Sequence, residues 1–445
     1  MEKGQLLLAT AFLLIGQTGF SQTVDSLYEI GTWSGFRDAA ISYTFDDGCP
    51  NQFSVAIPMF NEFGFPLTLF TATGTSWLPQ PNWTVLQNVA AQGHEVASHT
   101  VTHPYLNQLT LTEQQYELKS SQDSINAHVT CQKCITLAYP YCVRGNDSLC
   151  LEYYIAARAC QGNIESKNPR SFLNLSSIIC GSEGSVKTGA DFNSRANGAA
   201  NSKGWCVYLI HGIDNASDGW SPISSTELRA SLEYLDTNRV KFWVATFVNV
   251  VRYIKERSAA SVTELSVQEN SITVQVTDTL DNEIYDYPIT VRRKLPAGWI
   301  SAMVTQGGES VSSAVVTDDG IKYVMFDAIP DSGDIVITKS DQTQIQDYNQ
   351  IQNSPDIKVQ NYPNPFNPST TIAFTLHKDE MVRIKIYDLL GQEVRTLINE
   401  MMQSGKKQIV WDGRDQLGEL VPSGVYYYLL EAGSYGNVKK MLVIK

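Results

Sequence analysis

Nowhere in the 445 residues does a basic stripe interleave with aromatic rings, and acidic residues outnumber basic ones by 46 to 33. That argues against a nucleic-acid partner, because phosphate binding needs clustered Lys and Arg. Beyond the N-terminus no run is long and apolar enough to cross a bilayer, which takes about 20 such residues. No repeat of short fixed period is visible. Cysteine is missing after Cys206, and helical periodicity is missing after about residue 262. The second half of the chain is therefore expected to be β-structured and without disulfides.

The opening stretch MEKGQLLLATAFLLIGQTGFSQ has Lys3, an apolar run from Leu6 to Ile15 and small residues before Gln22. It reads as a secretory signal, residues 1–21, cleaved near Ser21, since the apolar core is too short for a span. All eight cysteines, Cys49, Cys131, Cys134, Cys142, Cys150, Cys160, Cys180 and Cys206, then fall in one stretch. An even number in an exported chain reads as disulfides, with connectivity left open. Cys131-x-x-Cys134 followed by Cys142 and Cys150 imitates a zinc site, but an oxidising compartment and irregular spacing favour bridges.

The length implies two or three domains. From about 36 to 257, strand-like runs ("AAISYTF", "PLTLFTA", "HEVASHT", "ITLAYPY", "YYIAARA", "WCVYLIHG", "KFWVATF") alternate with helical patterns. Such alternation predicts βα units around a parallel sheet or barrel, with active groups at the carboxyl ends of the strands. From 262 to 340 apolar and polar residues alternate around turn signals, as in a β-sandwich. Residues 341–356 are polar and poor in core residues, a linker. Residues 358–445 are all-β again.

Chemistry concentrates in three places. "TFDDG" sets Asp46 and Asp47 side by side at a strand end, with Gly48 as the turn residue letting them point apart. "HTVTH" holds His99 and His103 four apart, the spacing of one face of a helical turn. Two imidazoles with a carboxylate make a three-ligand metal site with open positions. His211 closes the strand "WCVYLIH".

These motifs, in this order, resemble those of the NodB-homology polysaccharide deacetylases, carbohydrate esterase family four, over residues 36–257. The resemblance implies a distorted (β/α) barrel. Asp47, His99 and His103 are then ligands to a divalent metal, with zinc the expected ion, and Asp46 is the general base. His211, protonated, is the acid, and the backbone N–H of Tyr141 holds the oxyanion. Two departures stand out. The family's arginine two residues before Pro140 is Ala138 here, and its D-W motif is not evident; Arg158 is the candidate orienter of base or acid in their place. Cys142 stands where a glycine is common, so a bridge from it would shape the cleft. Trp220 and Trp77 are candidate cleft walls.

The tail, with "NYPNPFNPSTTIAFTL", "YDLLGQEVRTL" and the ending "KKMLVIK", resembles type IX secretion sorting domains, small FlgD-like immunoglobulin sandwiches. The implied function is a secreted metal-dependent deacetylase, acting first on N-acetyl groups of chitin- or peptidoglycan-type polymers. An acetylxylan esterase, or a glycan-binding protein on a degenerate deacetylase scaffold, are the alternatives. Expected partners are the acetylated polysaccharide and the type IX machinery, and the expected location is outside the cell or on its surface.

Overall fold

The structure, a computed structural model, describes residues 23–75, 78, 80–340, 359–364, 366–376, 379–388, 393–432 and 435–443. The expected signal (1–21), the linker (341–356) and Trp77 lie outside these residues.

The described chain opens on two short strands, β1 (Thr23–Val24) and β2 (Tyr28–Ile30), whose partners come late in the sequence. Strands and helices then alternate. The strands are β3 (Ala39–Asp46), β4 (Thr68–Thr71), β5 (Glu95–Ser98), β6 (Thr136–Ala138), β7 (Ala156–Arg158), β8 (Ile178–Ile179), β9 (Trp205–Ile210) and β10 (Phe242–Val244). The helices are α1 (Ile57–Phe63), α2 (Trp83–Ala91), α3 (Leu111–His128), α4 (Asp147–Leu151), α5 (Gly189–Ser202), α6 (Ser225–Thr237) and α7 (Phe247–Ala259).

The sheet runs β7-β6-β5-β4-β3-β9-β8 and every pairing in it is parallel. β10 adds to β3 at Ala39–Ile41, while β4 pairs with Thr44–Asp46 on the same strand. This is the parallel βα sheet of a deacetylase-type barrel. β3 is central, and all eight of its residues are buried, as a strand covered on both faces must be. Side chains such as Tyr43, Phe45, Phe60, Phe192 and Tyr208 fill the space between sheet and helices. Each of the seven expected strands has its counterpart. α5 escaped notice because "GADFNSRANGAANS" is too rich in Gly, Ala and Asn to show an apolar stripe.

Strands β11 (Ser261–Val267) to β18 (Ile335–Ser340) are antiparallel among themselves and form two sheets, β1-β11-β12-β18-β14-β15 and β16-β17-β13-β2. The N-terminal strands thus complete this sandwich: β1 lies parallel to β11 and β2 antiparallel to β13. Tyr28 fastens the segment by donating to Glu264 at 2.7 Å, and Arg293 donates to the same carboxylate at 2.8 Å. The tail runs from β19 (Gln360–Tyr362) to β25 (Tyr435–Val443) in two further sheets around Phe366, Trp411 and Tyr428.

Candidate active site

Strand polarity gathers the chemistry. All strands of the βα sheet point the same way, so Asp46 at the end of β3, His99 after β5, Arg158 at the end of β7 and His211 after β9 meet at one edge. Asp46 keeps strand geometry, whereas Asp47 (φ 74°) and Gly48 (φ 67°) turn left-handed. Aspartate tolerates that region better than most residues. The switch from extended to left-handed backbone is what aims two adjacent carboxylates differently.

The two histidines do not lie on a helical turn, as their spacing predicts. Residues 99–103 form an irregular loop in which Thr100 (φ 67°) and His103 (φ 59°) are left-handed. Hydrogen bonds from α3 set its shape instead. Buried Glu117 accepts the N–H groups of Val101 and Thr102, each at 2.8 Å, and the Thr102 hydroxyl at 2.6 Å. The His103 N–H donates to Thr100 Oγ1 at 3.1 Å. The loop brings the Nε2 atoms of His99 and His103 to 3.1 Å from each other, and each lies 3.5 Å from Asp47 Oδ1.

This trio fits a cation. The Nδ1–H of His99 donates to the Ala138 carbonyl at 2.8 Å, which leaves the Nε2 lone pair facing the cluster. Asp47 Oδ1 is buried and has no hydrogen-bond partner among the described residues. Two nitrogens and one carboxylate oxygen are the donor set of an open, zinc-type site. Electrostatics agree. Burial, then the neighbouring Asp46 charge, pushes Asp47 up to about 7, so holding both aspartates ionised at neutral pH needs positive charge beside Asp47. Burial first of all pushes His99 down to about 4 and His103 to about 3, which keeps both rings neutral and able to donate lone pairs. Among the described residues no other group of His, Cys, Asp and Glu converges in this way.

Asp46 is set apart by Arg158. Its buried guanidinium donates to Asp46 Oδ2 and, at 3.0 Å, to Ser177 Oγ. Burial alone would raise the Asp46 carboxyl; Arg158, then His99 and His211, outweigh it and hold the group below the usual carboxylate range. Asp46 Oδ1 has no partner among the described residues. Arg158 pairs in register with Ala138 on the adjacent strand. The guanidinium absent at 138 thus reaches the site from the position beside it.

His211 Nε2 lies 4.0 Å from Asp46 Oδ2 and 3.9 Å from Asp47 Oδ2. Burial pushes its pKa down to about 4, against the pull of Asp46, which favours the neutral ring. No partner is found for its Nδ1 among the described residues, in keeping with the missing D-W motif. Trp220, half-exposed, stands edge-on to the His211 ring at 4.9 Å. Tyr141 (φ 54°) lies edge-on to His103 at 4.6 Å and stacks on Tyr105 at 4.0 Å. Asp46, Asp47, His99, His103, Arg158, His211, Trp220 and Tyr141 thus stand together, while Trp77 lies outside the described residues.

The bridge expected from Cys142 is present, but among the described residues the wider disulfide framework expected of an exported chain is not. Cys142 and Cys160 are bridged; the other six are thiols, five of them buried and Cys131 exposed. Cys134, Cys150, Cys180 and Cys206 pack as small apolar groups in the core, a common fate for free cysteine.

Three contributors went unread in the sequence. Glu117 shapes the ligand loop and Ser177 seats Arg158. Buried Gln52, on a π-helical turn (Gln52–Ala56), donates to the carbonyls of Asp46 at 2.5 Å and His211 at 3.0 Å, tying two strand ends together. No local pattern marks any of them.

Residues 35–153 match the family model described as polysaccharide deacetylase, and residues 366–436 match that of the FlgD Ig-like domain. A gellan lyase from Bacillus sp is 31% identical over 330 residues, 69% of this chain and 13% of that protein. A chitooligosaccharide deacetylase from Bradyrhizobium sp. (strain ANU 289) is 34% identical over 99 residues, 22% of this chain and 42% of that protein. The chain therefore spans less than half the length of these curated relatives. Among solved structures, a putative polysaccharide deacetylase from Mycobacterium smegmatis is 15% identical, with a TM-score of 0.40, covering 54% of this chain and 98% of that one. By these matches residues 35–153 are similar to polysaccharide deacetylase domains, and residues 366–436 to FlgD Ig-like domains.

Proposed function

We propose that this chain is a metal-dependent hydrolase that removes acetyl groups from a polysaccharide. The observation that carries the reading is the Asp47–His99–His103 cluster standing beside an aspartate that Arg158 keeps ionised. A divalent cation held by those three side chains supplies Lewis acidity toward the acetyl carbonyl and the attacking water. Asp46 takes the water's proton at Oδ1, the oxygen that Arg158 leaves free. Arg158 keeps that base deprotonated and fixes its rotamer. The Tyr141 N–H donates to the oxyanion as the carbonyl carbon becomes tetrahedral. His211, neutral at rest, takes up at Nε2 the proton that Asp46 removed from the water and delivers it to the departing nitrogen or oxygen, leaving both groups as they began. Trp220 forms the wall beside it.

The preferred substrate in this reading is an N-acetylated amino-sugar polymer. An amine leaves only when protonated, and His211 supplies that proton; the similarity to a chitooligosaccharide deacetylase points the same way. Acetate and free amine released from chitin or peptidoglycan oligomers, compared with acetate from acetylated xylan, test it. A clear preference for xylan with no amine formed would make the enzyme an acetylxylan esterase. Residues 1–21 as export signal and the C-terminal Ig-like domain as type IX sorting signal complete the reading. A chain truncated before residue 358 should stay in the periplasm of a host with that machinery; release to the medium would refute the sorting role.

A further inference from the structure

The cysteine pattern leaves one question: why is the one bridge among the described residues at the cleft? Cys142 directly follows Tyr141, and Cys160 lies two residues past Arg158. Their strands end in register, Ala138 beside Arg158, and the Tyr139 N–H donates to the Arg158 carbonyl at 3.0 Å. Past that point the disulfide joins the two segments, with 5.6 Å between the Cα atoms. The backbone there is constrained: Tyr141 (φ 54°) and Cys142 (φ 61°) are consecutive left-handed residues, a conformation that a Cβ disfavours. Such a pair persists only where its surroundings hold it. Tyr141 is pressed edge-on against the ligand His103, so a relaxed segment would move both its N–H and its ring.

We propose that the Cys142–Cys160 disulfide is a latch that holds the Tyr141 N–H and Arg158 in working register, making turnover depend on the oxidation state of this pair. The inference rests on the deacetylase reading above. Cys142 and Cys160 are positioning residues; neither touches the reacting atoms. Both are half-buried and within reach of a reagent. Cys49, Cys134, Cys150, Cys180 and Cys206 are buried, and burial pushes their thiols up, which suppresses the reactive thiolate. Closing the latch takes two electrons and two protons from the pair. One thiolate attacks a disulfide of a small-molecule or protein oxidant and expels a thiol. The second thiolate then displaces the oxidant from the mixed disulfide, releasing its other thiol. The enzyme is thus slowed in a reducing compartment and fully active in an oxidising one.

The test uses the full-length, zinc-loaded protein, before and after treatment with a phosphine reductant that competes poorly for metal, and the Cys142→Ser/Cys160→Ser double variant. Acetate release, bound zinc, thiol count and circular dichroism are read on each. Reduction should expose two further thiols and lower kcat about tenfold to a hundredfold, the scale expected when catalytic groups shift by an ångström. KM, bound zinc and the dichroism spectrum should stay put, and a disulfide oxidant should restore kcat. The double variant should match the reduced protein; should it not fold, reduction and reoxidation of the unaltered chain decide. Undiminished kcat in the reduced protein overturns the proposal. Loss of zinc together with kcat also overturns it, since the bridge would then support the metal site. An oxidised, zinc-loaded protein that releases no acetate from any acetylated glycan is a different result, one that removes the deacetylase reading and the latch with it.

Discussion

Arg158 ends β7 directly beside Ala138, the last residue of β6, and its guanidinium donates to the Asp46 carboxylate at the end of β3. Both partners are almost wholly buried, so each is the other's main compensation for lost water. Removing one partner of such a pair costs about 3–5 kcal/mol, because the other charge is left buried alone. Arg158→Met and Asp46→Asn are each expected to lose stability on that scale, while the two combined recover much of it. Denaturant melts of the single and double variants give the coupling. A coupling below about 1 kcal/mol would mean that the pair is solvated in solution.

Asp46→Asn removes the proposed base but none of the three converging donor atoms. It is expected to bind zinc as tightly as the unaltered chain and to turn over about 10²–10⁴-fold more slowly. His211→Ala should likewise keep the metal, and should slow amide substrates more than ester ones. Unchanged rates in either variant would reduce that side chain to packing.

Glu117 touches no ligand ring, yet it receives three hydrogen bonds from the loop between the two histidines. Groups that orient metal ligands are typically worth about 10–100-fold in metal affinity. Glu117→Gln turns an amide donor toward backbone N–H groups and is expected to weaken zinc by that factor. Competition with a chromophoric chelator reads this directly. Thr102→Val, which removes one of the three bonds, should fall between the variant and the unaltered chain.

The contrast between Asp47 and Glu117 shows what one sequence makes legible. Asp46, Asp47, His99, His103 and His211 stand within short motifs at strand ends, and parallel strands must bring such ends together. The same holds for seven of the strands in the sheet, whose apolar runs declare themselves. Glu117, Gln52 and Ser177 act across helix or strand contacts that no local spacing encodes. The Cys142–Cys160 pairing depends on β6 and β7 being neighbours, and the docking of β1 and β2 onto a sandwich depends on pairings far along the chain. Even the His99–His103 spacing misled about its local cause. Four residues bring the rings together through a left-handed loop fastened to α3, where spacing alone implied a helical turn.

Glu256 on α7 supplies a pH dependence of its own. Burial is the main cause of its rise to about 8, although it accepts the Tyr287 N–H at 2.7 Å; its Oε2 is buried without a partner among the described residues. The folded state therefore keeps a proton that the unfolded chain releases near its ordinary value. Stability from this group is complete below about pH 4.5 and is lost as pH rises toward 8. Urea midpoints should fall between pH 5 and 8, and Glu256→Gln should flatten that slope. An identical slope in the variant would assign the dependence elsewhere.

The proposed chemistry centres on the Asp47–His99–His103 cluster, and one measurement addresses it most directly. The full-length chain is stripped exhaustively with a chelator, verified by elemental analysis, and titrated with zinc while acetate release from acetylated glucosamine oligomers is followed, alongside His103→Ala. Activity is expected to vanish on stripping and to return in proportion to zinc up to one ion per chain. His103→Ala should neither retain the ion nor regain activity. Full acetate release from a verified metal-free chain would contradict the account at its centre.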